Sequence, residues 1–241
     1  MRAPDRGPGA LTVEAHALVV GYGGAAVLGP VDLQLGPGVT ALLGRNGAGK
    51  TTLMRTLCGV IPAVSGRCTV FGAPVRDGAV VRSRVGYLGH ELALASELTV
   101  EQNLTFWRAV RDSVAQATLI EHDALVEQFD LNTILNQRVR TLSRGQRQRV
   151  DLARLAMTDP DFVVLDEPLT GLDPVYAARM RELLREWGTT RTVLYSTHSV
   201  PEALELAQRY LVVQGTDLIV LGEDGAEVNE QMILNHLGAA A

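Results

Sequence analysis

The sequence predicts an α/β protein: a mostly parallel central sheet with helices on both faces, an N-terminal antiparallel β portion, and an inserted helical stretch. Three observations predict it. A short apolar strand, Val39–Leu43, runs into a glycine-rich loop and then into a helix, Thr51–Cys58. From Ser143 onward, apolar strands alternate with helical patterns, the rhythm of parallel strands joined by crossovers. Between these two parts, residues 91–141 lose strand character and read as helix.

In chain order, residues 1–10 are a Pro/Gly-rich flexible tail without the apolar core of a signal peptide. Leu11–Val20 and Val31–Leu35 read as strands. In the second, Val31, Leu33 and Leu35 alternate with Asp32 and Gln34, the period-two pattern of a half-buried strand. Gly36-Pro37-Gly38 is a turn, and Val85–Leu88 is the last strand of a first core part, residues 11–90. In the helical subdomain expected over 91–141, Thr99 and Gln102 have the capping-box spacing that opens a helix over Val100–Val114, and Ala124–Phe129 is a second helix. The second core part, 142–241, reads as helices at Ser143–Met157, Val175–Trp187 and Val200–Gln208, and strands at Phe162–Asp166, Thr192–Ser196, Tyr210–Val213 and Leu218–Leu221. A short helix near Glu227–Leu237 ends it.

At 241 residues the chain suits one large domain, or a core domain with an insertion. A net charge of −5 argues against a nucleic-acid partner, which usually leaves a basic balance. Cys58 and Cys68 make neither a disulfide framework nor a metal cluster, and read as reduced thiols of a cytosolic protein. No apolar run approaches the ~20 residues that cross a bilayer.

Lysine and arginine total 22, and Lys50 is the one lysine. It completes Gly44-Arg45-Asn46-Gly47-Ala48-Gly49-Lys50-Thr51, the GxxxxGK[ST] pattern of a phosphate-binding loop. A compact ammonium fits between phosphate oxygens where a wide guanidinium does not. Glycines let successive backbone N–H groups curl around phosphate, and the following helix aims its positive end at the same place. Lys50 would reach the β- and γ-phosphates, Thr51 would ligate Mg²⁺, and Thr52 would donate to the α-phosphate. The strand Phe162-Val163-Val164-Leu165 ends in Asp166 and Glu167. Asp166 would hold Mg²⁺ through water, and Glu167 would orient or deprotonate an attacking water. Together these features predict a P-loop NTPase core.

Leu142-Ser143-Arg144-Gly145-Gln146 discriminates further. Ser143 and Gln146 have capping-box spacing, and a helix N-terminus with a free hydroxyl and a glycine is also an anion site. Followed by Arg147-Gln148-Arg149 and standing upstream of the Asp-Glu strand, it resembles the signature of the ABC (ATP-binding cassette) ATPases. The rest of that family's pattern runs in order from Tyr22 to His198. Tyr22 matches the aromatic that stacks on adenine. Thr170-Gly171-Leu172-Asp173 resembles the loop whose aspartate communicates between active sites. Ser196-Thr197-His198 resembles the switch whose histidine contacts the γ-phosphate. Two positions depart. Arg144 replaces the signature's usual second glycine. Where the family commonly has a glutamine near Mg²⁺ and the attacking water, alignment on Tyr87-Leu88 places His90, and a one-residue slip places Glu91.

The resemblance implies ATP and Mg²⁺, with Glu167, His198 and Lys50 as catalytic groups. It also implies a homodimer or heterodimer of cassettes, in which Ser143 and Gly145 of one copy meet the nucleotide held by Lys50 of the other. An integral-membrane permease on a separate chain would carry the substrate, with the cassette cytoplasmic and peripheral on the cytoplasmic face of the cell membrane. Gly89–Leu104 and the aromatic pair Phe106-Trp107 are the expected docking surface, although for Trp107 alone a core stripe is the slightly better explanation. The Gly89-His90 step and Glu97 through Leu104 resemble the haem-export and cytochrome c maturation cassette, and drug, lipid or polysaccharide export cassettes are similar. The competing class is a cassette ATPase without a transport role, such as one serving iron–sulfur assembly.

Overall fold

Strand β3 (Gly38–Leu43) has five buried residues in succession, as a strand covered on both faces requires. It lies at the centre of the fold in a computed structural model that describes residues 11–78, 81, 83–112 and 121–238. The tail 1–10, the end of the helix expected to reach Val114, and residues 239–241 lie outside the described residues.

Two sheets form the frame. The larger has six strands in the order β10-β9-β3-β8-β7-β6. Strands β6 (Val85–Leu88), β7 (Phe162–Leu165), β8 (Thr192–Thr197), β3 and β9 (Arg209–Gln214) run parallel, and β10 (Asp217–Leu221) pairs antiparallel on β9. The smaller sheet is antiparallel in the order β2-β1-β4-β5, from β1 (Val13–Tyr22), β2 (Ala25–Leu35), β4 (Ser65–Val70) and β5 (Ala73–Pro74). The sequence reading captured β1 and the second half of β2 and missed β4 and β5. In β4 only Val70 is buried, so no alternating apolar pattern marks it. Pro30, after a cis peptide bond, sits within β2 and masks its first half as a strand.

Side-chain alternation along the central strands divides the core. Val39, Ala41, Leu43, Val163, Leu165, Val193, Tyr195 and Val212 face one apolar cluster. The helices α4 (Arg144–Met157), α5 (Pro174–Thr190), α6 (Val200–Leu206) and α7 (Glu230–Leu237) contribute to that cluster. Leu42, Phe162, Val164, Leu194 and Leu211 face the other, filled by α1 (Lys50–Leu57) and the antiparallel sheet. The helices α2 (Val100–Asp112) and α3 (His122–Gln128) fall in the inserted stretch and pack on α4. Thr99 and Gln102 form the expected capping box before α2, each side chain accepting from the other's backbone N–H. Buried Asn103 ties the preceding loop to α2 by donating to the carbonyls of Ala95 and Thr99 and accepting from the Ala95 N–H.

Strand register decides where function can sit. Leu43 pairs with Thr197, Leu165 with Tyr195 and Leu88 with Leu165. The parallel strands therefore end together, and the segments that follow them emerge at one carboxyl edge, where α/β sheets bind ligands.

Candidate nucleotide site

Four segments meet at that edge: the loop after β3, the acids after β7, the switch after β8 and His90 after β6. The loop, the acids and His90 line a cleft of about 490 Å³, together with Tyr22 and Val27 from the antiparallel sheet, while His198 of the switch lines a second cleft with Gly44, Arg45, Asn46 and Glu167. Within the loop, Gly47 and Gly49 have φ of 78° and 98°, left-handed conformations that L side chains rarely adopt. A Cβ on Gly49 would also come within 2.9 Å of Val27.

Lys50 is the first residue of α1 and only 7% exposed. Its ammonium donates to the carbonyls of Gly44 at 2.7 Å and Arg45 at 3.1 Å. Burial pulls its pKa below the ordinary lysine value, while the carboxylates of Glu167 and Asp166 act in the opposite direction. Thr52 is buried and Thr51 half-buried at the same helix start.

Asp166 is 4% exposed, and both its oxygens are engaged. Thr51 Oγ1 donates to Oδ2 at 2.7 Å and Ser196 Oγ donates to Oδ1 at 2.6 Å. Ser196 Oγ in turn accepts the Glu167 N–H at 2.9 Å. This fully buried serine connects the two acids, a role the sequence reading missed. The available signal was a hydroxyl inside the apolar strand Thr192–Thr197. Glu167 has φ of 50° and is held by Thr170, whose hydroxyl donates to Oε2 at 3.3 Å. His198 Nδ1 lies 3.9 Å from Glu167 Oε1.

His90 Nε2 lies 3.5 Å from Asp166 Oδ2 and lines the cleft, whereas Glu91 is exposed and does not line it. Of the two candidates, it is His90 whose side chain stands beside Asp166. The donor set suits Mg²⁺: one carboxylate, one hydroxyl and one imidazole are adjacent. Among the described residues, no group of three or more His, Cys, Asp or Glu could cage a metal by itself. Mg²⁺ ordinarily takes one or two protein ligands and completes its shell with water and substrate phosphates.

Tyr22 is half exposed at the cleft's outer wall. Arg55 on α1 interacts with the phenols of Tyr87 and Tyr22, which raises its pKa. Ser143 caps α4 and is exposed. Gln146 N–H donates to its Oγ at 3.2 Å, and its own N–H donates to Gln146 Oε1 at 2.9 Å. Leu142, by contrast, is buried in the core, so its side chain anchors the motif instead of being presented at the surface. Ser143 and Gly145 do not line the cleft that holds Lys50. Asp173 caps α5, accepting the Tyr176 N–H at 3.0 Å, and remains exposed.

A family model described as ABC transporter matches residues 28–170. The chain belongs to the ABC transporter family. This ABC protein is 40% identical over 204 residues to Daunorubicin resistance ATP-binding protein DrrA3 of Streptomyces coeruleorubidus, a match covering 83% of this chain and 65% of that one. It is 34% identical over 212 residues to Nod factor export ATP-binding protein I of Rhizobium etli, covering 87% and 67%. The chain thus spans about two thirds of the length of these relatives. A solved structure described as the ATP binding subunit of an ABC transporter superposes with a TM-score of 0.78 at 23% identity, over 94% of this chain and 93% of that one. At that identity the likeness is one of fold. Among the described residues, no helix is long and apolar enough to cross a membrane.

Proposed function

We propose that this ABC protein is the ATP-hydrolysing subunit of an exporter and acts through a separate integral-membrane permease on the cytoplasmic face of the membrane. The convergence of Lys50, Thr51, Asp166, Glu167 and His198 at one sheet edge carries the reading. The names of the two relatives, one for drug resistance and one for Nod factor export, support an exporter of drug or Nod factor type in preference to a haem exporter or an iron–sulfur assembly role.

In this reading Tyr22 stacks on adenine. The backbone of Gly44, Arg45, Asn46, Gly47, Ala48 and Gly49 wraps the phosphates. Lys50 neutralises the β/γ oxygens, and Thr52 donates to the α-phosphate. Thr51 and Asp166, with His90 beside them, hold Mg²⁺, which supplies charge neutralisation on the phosphates. Glu167 takes the proton of the attacking water, and His198 contacts the γ-phosphate. The signature Leu142, Ser143, Arg144, Gly145 and Gln146 acts on the nucleotide of a second cassette, with the Asp173 loop between the two sites. Residues 91–141 act as a helical subdomain that moves this signature against the core of residues 11–90 and 142–241.

The permease would dock on the segment from Gly89 to Leu104 and on Phe106. Phe106 is 54% exposed, whereas Trp107 is occupied: its indole N–H donates to Ala93 O at 2.8 Å and its ring lies 5.1 Å from the Arg154 guanidinium. Glu167→Gln tests the central role. Turnover should fall about 10²–10⁴-fold, the range for a lost general base. ATP binding should persist, and size-exclusion with light scattering should report a dimer trapped by ATP. Persistent turnover would remove Glu167 as the base.

A further inference from the structure

We propose that the groove beside the outer edge of β4 is a docking site for an extended, acidic segment of another protein, which joins the antiparallel sheet as an added strand. On one side β4 pairs with β1, but on the other side β5 reaches only Thr69 and Val70. β5 ends at Pro74, which has no N–H for a further rung, and the chain then leaves the sheet in a 3₁₀ turn over Val75–Asp77. Ser65 to Cys68 are left with no strand on that side. A cleft of about 750 Å³ lies there, between residues 59–64 after α1 and the segment that follows β5.

Ser65, Gly66, Arg67, Cys68 and Thr69 line this cleft in unbroken succession. A strand that turned one face to a cleft would contribute every second residue, so here the backbone edge borders the space. Val70 and Ala73 pair across the turn Phe71-Gly72, with their backbone groups facing each other. The N–H and C=O of Cys68, two residues before Val70, point the same way, into the cleft. The group that satisfies such an edge is the backbone of an extended peptide. Val60 (57% exposed) and Val64 (36% exposed) add apolar surface at the loop end of the groove.

Charge selects the occupant. The charged side chains described along the cleft are Arg67 and Arg76. Arg67 is exposed and, among the described residues, is paired with no acid. Two nearby occupants carry the wrong charge. Residues 1–10 hold Arg2 and Arg6 against Asp5, and Pro4 and Pro8 bring no N–H to a ladder. A second copy paired edge to edge through the same stretch would set its Arg67 beside this one, a destabilising like-charge contact. A separate chain with an acid opposite Arg67 gains a cross-strand ion pair instead. Residues flanking that acid turn to the other face, where Cys68 packs against the apolar core. Arg67 and Pro74 also guard the edge against indiscriminate pairing, which makes entry selective for acid-bearing strands.

The test uses the full chain and a short labelled peptide, threonine-valine-glutamate-valine-threonine, blocked at both ends, with a second peptide in which lysine replaces the glutamate. Fluorescence anisotropy should show saturable binding of the glutamate peptide, and the Cys68 amide should exchange its hydrogen more slowly in its presence. Arg67→Glu should weaken the glutamate peptide about fivefold and strengthen the lysine peptide by a similar factor, the size of a surface ion pair exchanged for a like-charge pair. ATP turnover should be unchanged in that variant. N-methylation of the glutamate peptide removes its edge N–H groups and keeps its charge, so it should abolish binding to the unaltered chain, whatever the folding of Arg67→Glu. Deleting residues 1–10 should leave the affinity as it was. The proposal is overturned if neither peptide binds, which would make Arg67 a guard and nothing more. It is equally overturned if binding ignores the charge exchange, survives N-methylation or leaves Cys68 exchange untouched. Binding that tightens sharply on deletion of residues 1–10 would make that tail the occupant and overturn it too.

Discussion

Asp166, at the floor of the nucleotide cleft, is buried with both carboxylate oxygens hydrogen-bonded to hydroxyls of neighbouring elements. Glu97, in the inserted stretch, shares one exposed oxygen between Arg138 at 3.8 Å and Arg140 at 3.5 Å. Both are acids with two partners, yet their surroundings give them different work. The floor acid cannot move without breaking buried bonds, so it fixes geometry. The surface acid is screened by water and holds its loop loosely. Between these regions runs a seam in which a shared apolar core, with Val100, Leu104, Leu125 and Phe129 in one cluster with Val150 and Leu155 of α4, is tied by polar contacts. Asp151 and Arg154 pair within α4, and Arg154 also donates to the Tyr87 carbonyl at 3.2 Å. The Ala93 N–H donates to Asp151 at 3.3 Å, and Arg111 reaches the Met157 carbonyl.

The comparison breaks most sharply at the seam. Arg154→Ala leaves the buried Asp151 carboxylate without its counter-charge, a loss of about 3–5 kcal/mol. At ~2–4 °C per kcal/mol for a chain of this size, Tm should fall by roughly 10 °C. A shift of a degree or two in calorimetry would mean that the seam is not what joins the regions. At the floor, Ser196→Ala strips a donor from Asp166 and an acceptor from the Glu167 N–H. We expect a cost of about 1–3 kcal/mol, together with a fall in turnover that cavity-filling Ser196→Cys does not fully repair. In the inserted stretch, Glu97→Ala should cost under ~1 kcal/mol, less at high salt. A larger loss would show the stretch to be as tightly built as the floor.

The smallest effect concerns the antiparallel side. Burial pushes the Cys68 thiol up to about 12 from an ordinary 9.0, and pushes Cys58 up as well. An unfolded thiol ionises near 9.0 while the folded one stays protonated, so the stability contribution is full below pH 9 and declines as pH climbs toward 12. Thermal scans between pH 8 and 10.5 should show a shallower decline for Cys68→Ala than for the unaltered chain. Equal slopes would mean that the thiol is not sheltered.

Legibility in the sequence followed the same division. Strands Phe162–Leu165 and Thr192–Thr197 were readable because burial on both faces writes a continuous apolar run. Strand Ser65–Val70 was not, because it is held by backbone pairing to β1 with little side-chain burial. Site residues were readable where a motif is local: residues 44–52 around one loop, Ser143 to Gln146 around one helix start, Asp166 beside Glu167. Ser196 between the acids, Arg55 with the Tyr87 and Tyr22 phenols, and Gln148 on the Pro168 carbonyl arise from contacts across distant parts of the chain. No local spacing encodes them. His90 stood between the two: the sequence left it level with Glu91, and the end of β6 brings the imidazole to Asp166.

One consequence follows from the solitary ammonium at position 50. An acylating reagent selective for amines has a single side chain to find in this protein, besides the chain's own α-amino group. That target sits in the cradle where a triphosphate would cover it. The extent of labelling, read by intact-mass spectrometry, is therefore a native occupancy gauge that needs no engineered tag.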